Sequence, residues 1–213
     1  MIVQTFTVGP FQENAYLLID EDAQHAVLID PGDDGKRLLD AVAKSGAQLD
    51  AIWLTHAHVD HVGGIAAIKR VSNVPVYLHP LDRPLYDNAK RHGEVFGLQV
   101  ESPPPPDRDM AAGDTLRVGE LTFAVMHTPG HAPGHVVIHG HGIAFVGDCL
   151  FAGSVGRTDL PFSNGAELAR SLERICALSS ETIVYAGHGP PTTIAEELES
   201  NPFINGSVRI SGR

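Results

Sequence analysis

Cysteine is nearly missing: Cys149 and Cys176 are the two in 213 residues. Two thiols are too few for a disulfide framework, so a reducing compartment is the simpler expectation. Basic residues are scarce as well, with Lys and Arg totalling 15 against 26 Asp and Glu, for a formal net charge of −11. A protein that neutralises nucleic-acid phosphates needs a basic face, and no Lys/Arg cluster occurs, so nucleic acid is not expected as a partner. No run approaches the roughly 18 apolar residues of a membrane span. The opening stretch MIVQTFTVGPFQEN alternates like a strand and lacks the basic segment and long apolar run of a secretory leader. The expectation from these absences is a cytoplasmic protein with no membrane and no nucleic-acid partner. They leave the oligomeric state open.

Against these shortages, 43% of residues are hydrophobic, enough to build a core. The length suits one domain spanning 1–213. The compositional oddity is the 12 histidines. Strand patterns occur at IVQTFTV (2–8), AYLLID (15–20), HAVLID (25–30), LDAIWLT (49–55) and VPVYLH (74–79). Asp33 is placed to cap a helix that ends at Gly46, and a second helix is expected over VDHVGGIAAIKRV. Helix plus loop follows at 81–100, then the stiff connector SPPPPD. Two hairpins follow, turning at 118–120 and near 140–142. A helix over 166–178, a strand in TIVYAGHG and a last helix in TTIAEELESN complete the chain. Strand pairs precede strand–helix alternation, twice along the chain. That order predicts two stacked sheets with helices outside, an α/β fold of four layers, αββα.

The histidines concentrate where strands end. His56, His58, Asp60 and His61 follow AIWLT, His131 follows LTFAVMHTPG, Asp148 follows GIAFVG, and His188 follows TIVYAG. Loops at the carboxyl ends of buried strands are where sites are grafted on such scaffolds. In an extended loop, His56 and His58 both face one ion, while Asp60 and His61, at the start of the next helix, turn toward a second. Gly63–Gly64 permits close backbone approach. Asp148 is the natural bridge between two ions. Imidazole and carboxylate donors suit zinc first, with iron or manganese also accommodated, rather than calcium.

THAHVDH (55–61), TPGHAPGH (128–135), GDCLF (147–151), GRTDLP (156–161) and GHGPPTT (187–193) together resemble the metallo-β-lactamase fold superfamily, in particular its small glyoxalase II-like (hydroxyacylglutathione hydrolase-like) branch. The similarity runs in order along nearly the whole chain. It implies the αββα sandwich, with two divalent metal ions. His56, His58 and His131 would hold the first, Asp60, His61 and His188 the second, and Asp148 would bridge them. Asp60 and Asp148 are the implied catalytic carboxylates. The implied activity is hydrolysis of S-lactoylglutathione or a related acyl thioester, with water activated by the metals. Full-length glyoxalase II enzymes carry a helical extension that binds glutathione, whereas EELESNPFINGSVRISGR closes this sequence. The glutathione assignment therefore rests on the short branch alone. The alternative on the same fold is a mononuclear iron persulfide dioxygenase using His56, His131 and Asp148. The net charge speaks against a nuclease relative, and a lactonase or β-lactamase ranks below both.

The remaining groups are read as structural. His127 and His135 are candidates for hydrogen bonds behind the metal ligands. His25, His79, His92, His139 and His141 lack a partner pattern. Cys149 and Cys176 are expected to pack. Arg157 and Asp159 are expected to pair with each other and brace the loop beside the pocket.

Overall fold

The computed structural model describes Met1–Ile210. Residues 211–213, the end of the expected single domain, lie outside the described residues. Two six-stranded sheets form the centre. The first takes β1 (Ile2–Val8), β2 (Glu13–Asp20), β3 (His25–Ile29), β4 (Gln48–Trp53), β5 (Val76–Leu78) and β6 (Arg108–Asp109), side by side in chain order. The β1–β2–β3 part is antiparallel, and β3 to β6 is parallel. The second sheet uses β7 (Thr115–Val118), β8 (Leu121–His127), β9 (Val136–Gly140), β10 (Ile143–Gly147), β13 (Ile183–Ala186) and β14 (Thr192–Thr193), ordered β14-β13-β10-β9-β8-β7. A small hairpin of β11 (Leu150–Phe151) and β12 (Ser154–Val155) follows β10.

Three apolar layers explain why the sheets stack. Between them lie Tyr16, Val27, Trp53, Phe123, Ile138 and Phe145, all buried. The Trp53 and Phe123 rings meet across the interface at 6.1 Å. Each sheet's other face is covered by amphipathic helices, so its strands are apolar on both sides. Outside the first sheet, α1 (Gly35–Ser45) buries Leu38 and Val42. Alongside it, α3 (Ile65–Lys69) buries Ile65 and Ile68, while α4 (Arg83–Asp87) and α5 (Ala89–Val95) bury Leu85, Tyr86 and Ala89. Outside the second sheet, α6 (Gly165–Ile175) buries Leu168, Leu172 and Ile175, and α7 (Ile194–Ser200) buries Ile194. This is the expected αββα order. No helix among the described residues is long and apolar enough to cross a membrane.

Two local expectations change. Asp33 does not cap α1; its Oδ1 accepts the Asp34 amide at 2.7 Å, and Asp34 occupies the cap position at φ 50° without a side-chain bond. The helix expected over VDHVGGIAAIKRV is two pieces, α2 (Val59–Val62) and α3, divided at Gly63–Gly64. The division lets the PGD turn press directly on the helix. The Gly64 amide donates to Pro31 O at 2.9 Å, and a Cβ on Gly63 would come within 2.5 Å of Gly32 O.

His79 follows β5 and accepts the Leu81 amide on Nδ1 at 3.3 Å, capping the 3₁₀ turn Pro80–Asp82. Its ring stacks on His127 at 4.3 Å, 3° from parallel. Burial, helped by the neighbouring His127, lowers its pKa to about 4. A depressed imidazole stabilises the fold above the unfolded value near 6.5, and that contribution is lost as pH falls through the folded value. The melting temperature should therefore drop between about pH 6.5 and 4, and less steeply in His79→Asn, which keeps a capping oxygen. Circular-dichroism melts of both proteins across that range check this; identical slopes would place the proton uptake elsewhere.

Candidate metal centre

The seven predicted residues come from four segments and meet at one edge of the sandwich. His56 lies just past β4, His58 is the N-cap of α2, and Asp60 and His61 occupy its first turn. His131 sits in the loop after β8, Asp148 directly after β10, and His188 just past β13. Two clusters result, His56–His58–His131 and Asp60–His61–His188, each with its donor atoms within 4.8 Å of one another. In the first, His58 Nδ1 lies 3.0 Å from His56 Nε2 and 2.8 Å from His131 Nε2. In the second, His188 Nε2 is 3.3 Å from Asp60 Oδ2. Asp148 stands between them: Oδ1 is 3.4 Å from His61 Nε2, while Oδ2 is 3.5 Å from His131 Nε2 and 3.6 Å from His188 Nε2. All seven candidates are brought together, and none is stranded.

Hydrogen bonds behind the clusters aim the lone pairs inward. His131 Nδ1 donates to Arg157 O at 2.9 Å, which leaves Nε2 bare toward the cluster. His61 Nδ1 bonds Asp30 Oδ2 at 3.0 Å, leaving its Nε2 facing inward. That His61 Nε2 and Asp148 Oδ1 are both buried with no hydrogen-bond partner. Buried polar atoms are nearly always satisfied, so two unbonded ones 3.4 Å apart, beside a histidine cluster, fit a shared cation. The electrostatics agree. Burial pushes His56 well below the usual histidine range and His58 down to about 3, and burial lowers His131 too. These imidazoles are neutral near pH 7, the form that ligates metal. Burial opposes ionisation of Asp148, but the charge of His61 beside it holds its carboxyl well below the ordinary range. Burial likewise works against charge on Asp60, but the His188 hydrogen bond together with the charges of His61 and His188 lowers its pKa below the ordinary value. The donor set of imidazole nitrogen and carboxylate oxygen is the chemistry of zinc, iron or manganese.

Several supporting residues escaped the sequence reading. Asp30, at φ 48° past β3, accepts the Thr55 amide at 2.7 Å, the Thr55 hydroxyl and His61. It falls within donor distance of His56 and His61, but its oxygens are spent on those bonds. Asp82 accepts the amides of Ala57 and Gly134, tying the two histidine-bearing loops together. Burial raises its pKa to about 6. Glu13, wholly buried, has both carboxylate oxygens unpartnered, and burial pushes its pKa well up. The one available signal was an acidic residue embedded in an apolar stretch, as in VLID and YLHPLD. His135, a sequence candidate, accepts the Asp148 amide on Nε2 at 3.1 Å and stacks on His56. His127 points elsewhere, donating Nε2 to Pro133 O at 2.8 Å. Cys149 is buried, and burial pushes its thiol up to about 12, which makes it inert packing. Arg157 and Asp159 form the expected pair, two bonds of 2.7 Å each.

Asp82→Asn tests the tie. An amide offers one acceptor oxygen, so the Ala57 or Gly134 amide loses its partner, at a cost of about 1–3 kcal/mol. Chemical denaturation should register that loss, and elemental analysis should find less retained metal. Wild-type stability and metal content in the variant would mean the tie is dispensable.

The family profile for the metallo-beta-lactamase superfamily matches residues 8–188. The hydroxyacylglutathione hydrolase GloC of Haemophilus influenzae is 35% identical over 210 residues, 96% of this chain and 99% of that protein. Among solved structures, the di-iron-bound form of TTHA1623 superposes with a TM-score of 0.87 at 46% identity, covering 94% of this chain and all of the other. ETHE1 from Myxococcus xanthus superposes at 0.81 with 30% identity, covering 97% of this chain and 85% of the other. With this profile, these relatives, the αββα sandwich and the paired His/Asp clusters at its edge, the chain belongs to the metallo-β-lactamase superfamily.

Proposed function

We propose that this protein is a binuclear metal-dependent hydrolase of acyl thioesters, glyoxalase II-like, with S-lactoylglutathione or a related thioester as substrate. The carrying observation is the pair of three-residue clusters flanking Asp148, with the buried orphan atoms His61 Nε2 and Asp148 Oδ1 turned into the space between. His56, His58 and His131 would hold one ion, Asp60, His61 and His188 the other, and Asp148 both. When bound, the ions supply Lewis acidity, making water acidic enough to ionise near neutral pH and polarising a carbonyl oxygen.

The chain's own residues do the positioning. Asp60 and Asp148 both line the cavity above the clusters, where their carboxylates can orient the attacking water. Asp30 and the Arg157 carbonyl keep His61 and His131 in the ligating tautomer. In the net reaction the water oxygen joins the carbonyl carbon and the C–S bond breaks. The sulfur leaves with the bonding pair and is protonated to the thiol, and a carboxylate and a proton complete the balance. A thiolate is a good leaving group, so no dedicated acid is needed. The similarity to GloC of Haemophilus influenzae, over almost the full length of both chains, supports this reading. We further propose that the chain acts as one domain, in the cytoplasm, on a small molecule, with neither nucleic acid nor membrane as partner.

The similarity to ETHE1 sustains a second reading, a mononuclear iron persulfide dioxygenase held by His56, His131 and Asp148. The intact second cluster favours the hydrolase. Elemental mass spectrometry after metal reconstitution separates them. The hydrolase predicts about two ions per chain, reduced to about one in Asp60→Ala, with thioester hydrolysis falling on the order of a hundredfold or more. Full activity in a single-metal variant would refute the two-metal mechanism. A ceiling of one iron per chain, with oxygen uptake on adding a persulfide, would establish the second reading.

A further inference from the structure

Above the clusters lies a cavity of about 550 Å³, with His58, Asp60, His131, Asp148 and His188 at its floor. Its walls are of a different kind. On one side stand Phe11, from the β1–β2 turn, with Val95 and Phe96 from the end of α5. Phe11 and Phe96 meet edge to face at 5.4 Å. On the other side are Phe151, Leu160 and Pro161. Val95 is 75% exposed, Phe96 54% and Phe11 39%. Large apolar side chains gathered at the mouth of a reactive cleft, and left in water, mark a surface shaped for an apolar ligand.

The charges point the same way. Among the described residues, Arg157 is the one Lys or Arg that lines this cavity. Its Nε and Nη2 are both engaged by Asp159, at 2.7 Å each. Glutathione carries two carboxylates. A carboxylate taken into the outer part of this cavity would need a compensating donor, and the one guanidinium that lines it is already paired with Asp159. The net charge of −11 repels it further at long range. A hydrocarbon chain meets no such cost and gains from burial against the phenyl rings.

We propose, resting on the thioester-hydrolase reading, that the site selects thioesters with an apolar, uncharged acyl chain and a thiol carrier that bears no carboxylate within the cavity. The Phe11–Phe96 wall receives the acyl chain, and the Arg157–Asp159 pair excludes rather than recruits an anionic carrier. This narrows the substrate away from the lactoyl and glutathionyl groups of S-lactoylglutathione.

The test is a substrate series on metal-reconstituted protein: acetyl, butanoyl, hexanoyl and octanoyl thioesters of N-acetylcysteamine, beside S-lactoylglutathione and S-hexanoylglutathione. kcat/KM should rise about two- to fourfold per added methylene until the cavity is full. The hexanoyl group should be cleaved faster from the neutral carrier than from glutathione. Phe96→Ser should flatten the chain-length dependence, and Asp159→Asn, which frees Arg157, should narrow the difference between carriers. A flat chain-length profile with glutathione thioesters preferred would overturn this assignment and leave the hydrolase reading intact. Failure to cleave any thioester would overturn the hydrolase reading. In that event the cavity is judged by calorimetry with two unreactive thioethers, N-acetyl-S-hexylcysteamine and S-hexylglutathione. Tighter binding of the neutral one, with a negative heat-capacity change, supports the apolar assignment, and preference for S-hexylglutathione refutes it.

Discussion

The buried carboxylate of Asp30 is the joint on which the candidate metal centre turns. It sits past the end of β3, in a backbone conformation that few residues other than Asn, Asp and Gly adopt. From there it accepts Thr55 past β4 and His61 on α2. One side chain thus fixes the end of a central strand, the start of the ligand loop and the tautomer of a candidate ligand. Asp82 repeats the device on the opposite side, joining the His56–His61 loop to the loop that carries His131. Asn14 does so at a third point: its backbone amide donates to Gly187 O at 2.8 Å and its side chain to Gly189 O at 2.8 Å, which clamps the His188 loop. Such groups set first-layer geometry because a buried carboxylate or amide has little freedom to choose other partners.

These joints matter because the site they hold is costly without an ion. Neutral imidazole lone pairs converge at about hydrogen-bond distance, and Asp148 lies among three histidines. Burial keeps His56, His58 and His131 uncharged, while Asp148 with Asp30 behind overcomes burial to raise His61 well above the usual range. One cluster is thus held as neutral imidazoles, and in the other the imidazoles are balanced by the carboxylates beside them. Glu13 adds a buried carboxyl with no hydrogen-bond partner, its Oε1 3.7 Å from His61 Nδ1. Strain and unsatisfied groups of this kind persist where the surrounding structure over-determines them. Here the over-determination comes from the two sheets, whose shared core of Trp53, Phe123 and Phe145 keeps the strand ends level.

The cavity completes the picture by contrast. The histidine and aspartate clusters form its floor, and its walls are assembled from short segments outside the two six-stranded sheets: the β1–β2 turn, the end of α5, the β11–β12 hairpin and the loop after it. Wall residues of this kind can differ between relatives without disturbing the candidate ligands, because these are held from behind. Shared family membership therefore constrains the reaction more tightly than the substrate.

Sequence alone was enough for most of the longer strands and helices, the four-layer order, and the candidate ligand run His56–His58–Asp60–His61. All of these are written in short-range periodicity and spacing. It also marked His131, Asp148 and His188 as strand-end residues, and the family motifs tied them to the same centre. How these segments meet is set by the closed fold: Asp148 between the clusters, His135 on the Asp148 amide, and Asp30, Asp82 and Glu13 behind the histidines. These partners lie far apart along the chain, as with Asp82 and Gly134 or Asn14 and Gly189. A single acidic residue in an apolar stretch reads the same whether it is buried and bonded or merely at a strand end. The α2–α3 break shows the same limit, since VDHVGGIAAIKRV has helical spacing throughout. Its division is imposed by the PGD turn packing on Gly63 and Gly64. Local pattern reports which face of an element is buried, and only the closed fold reports what it is buried against.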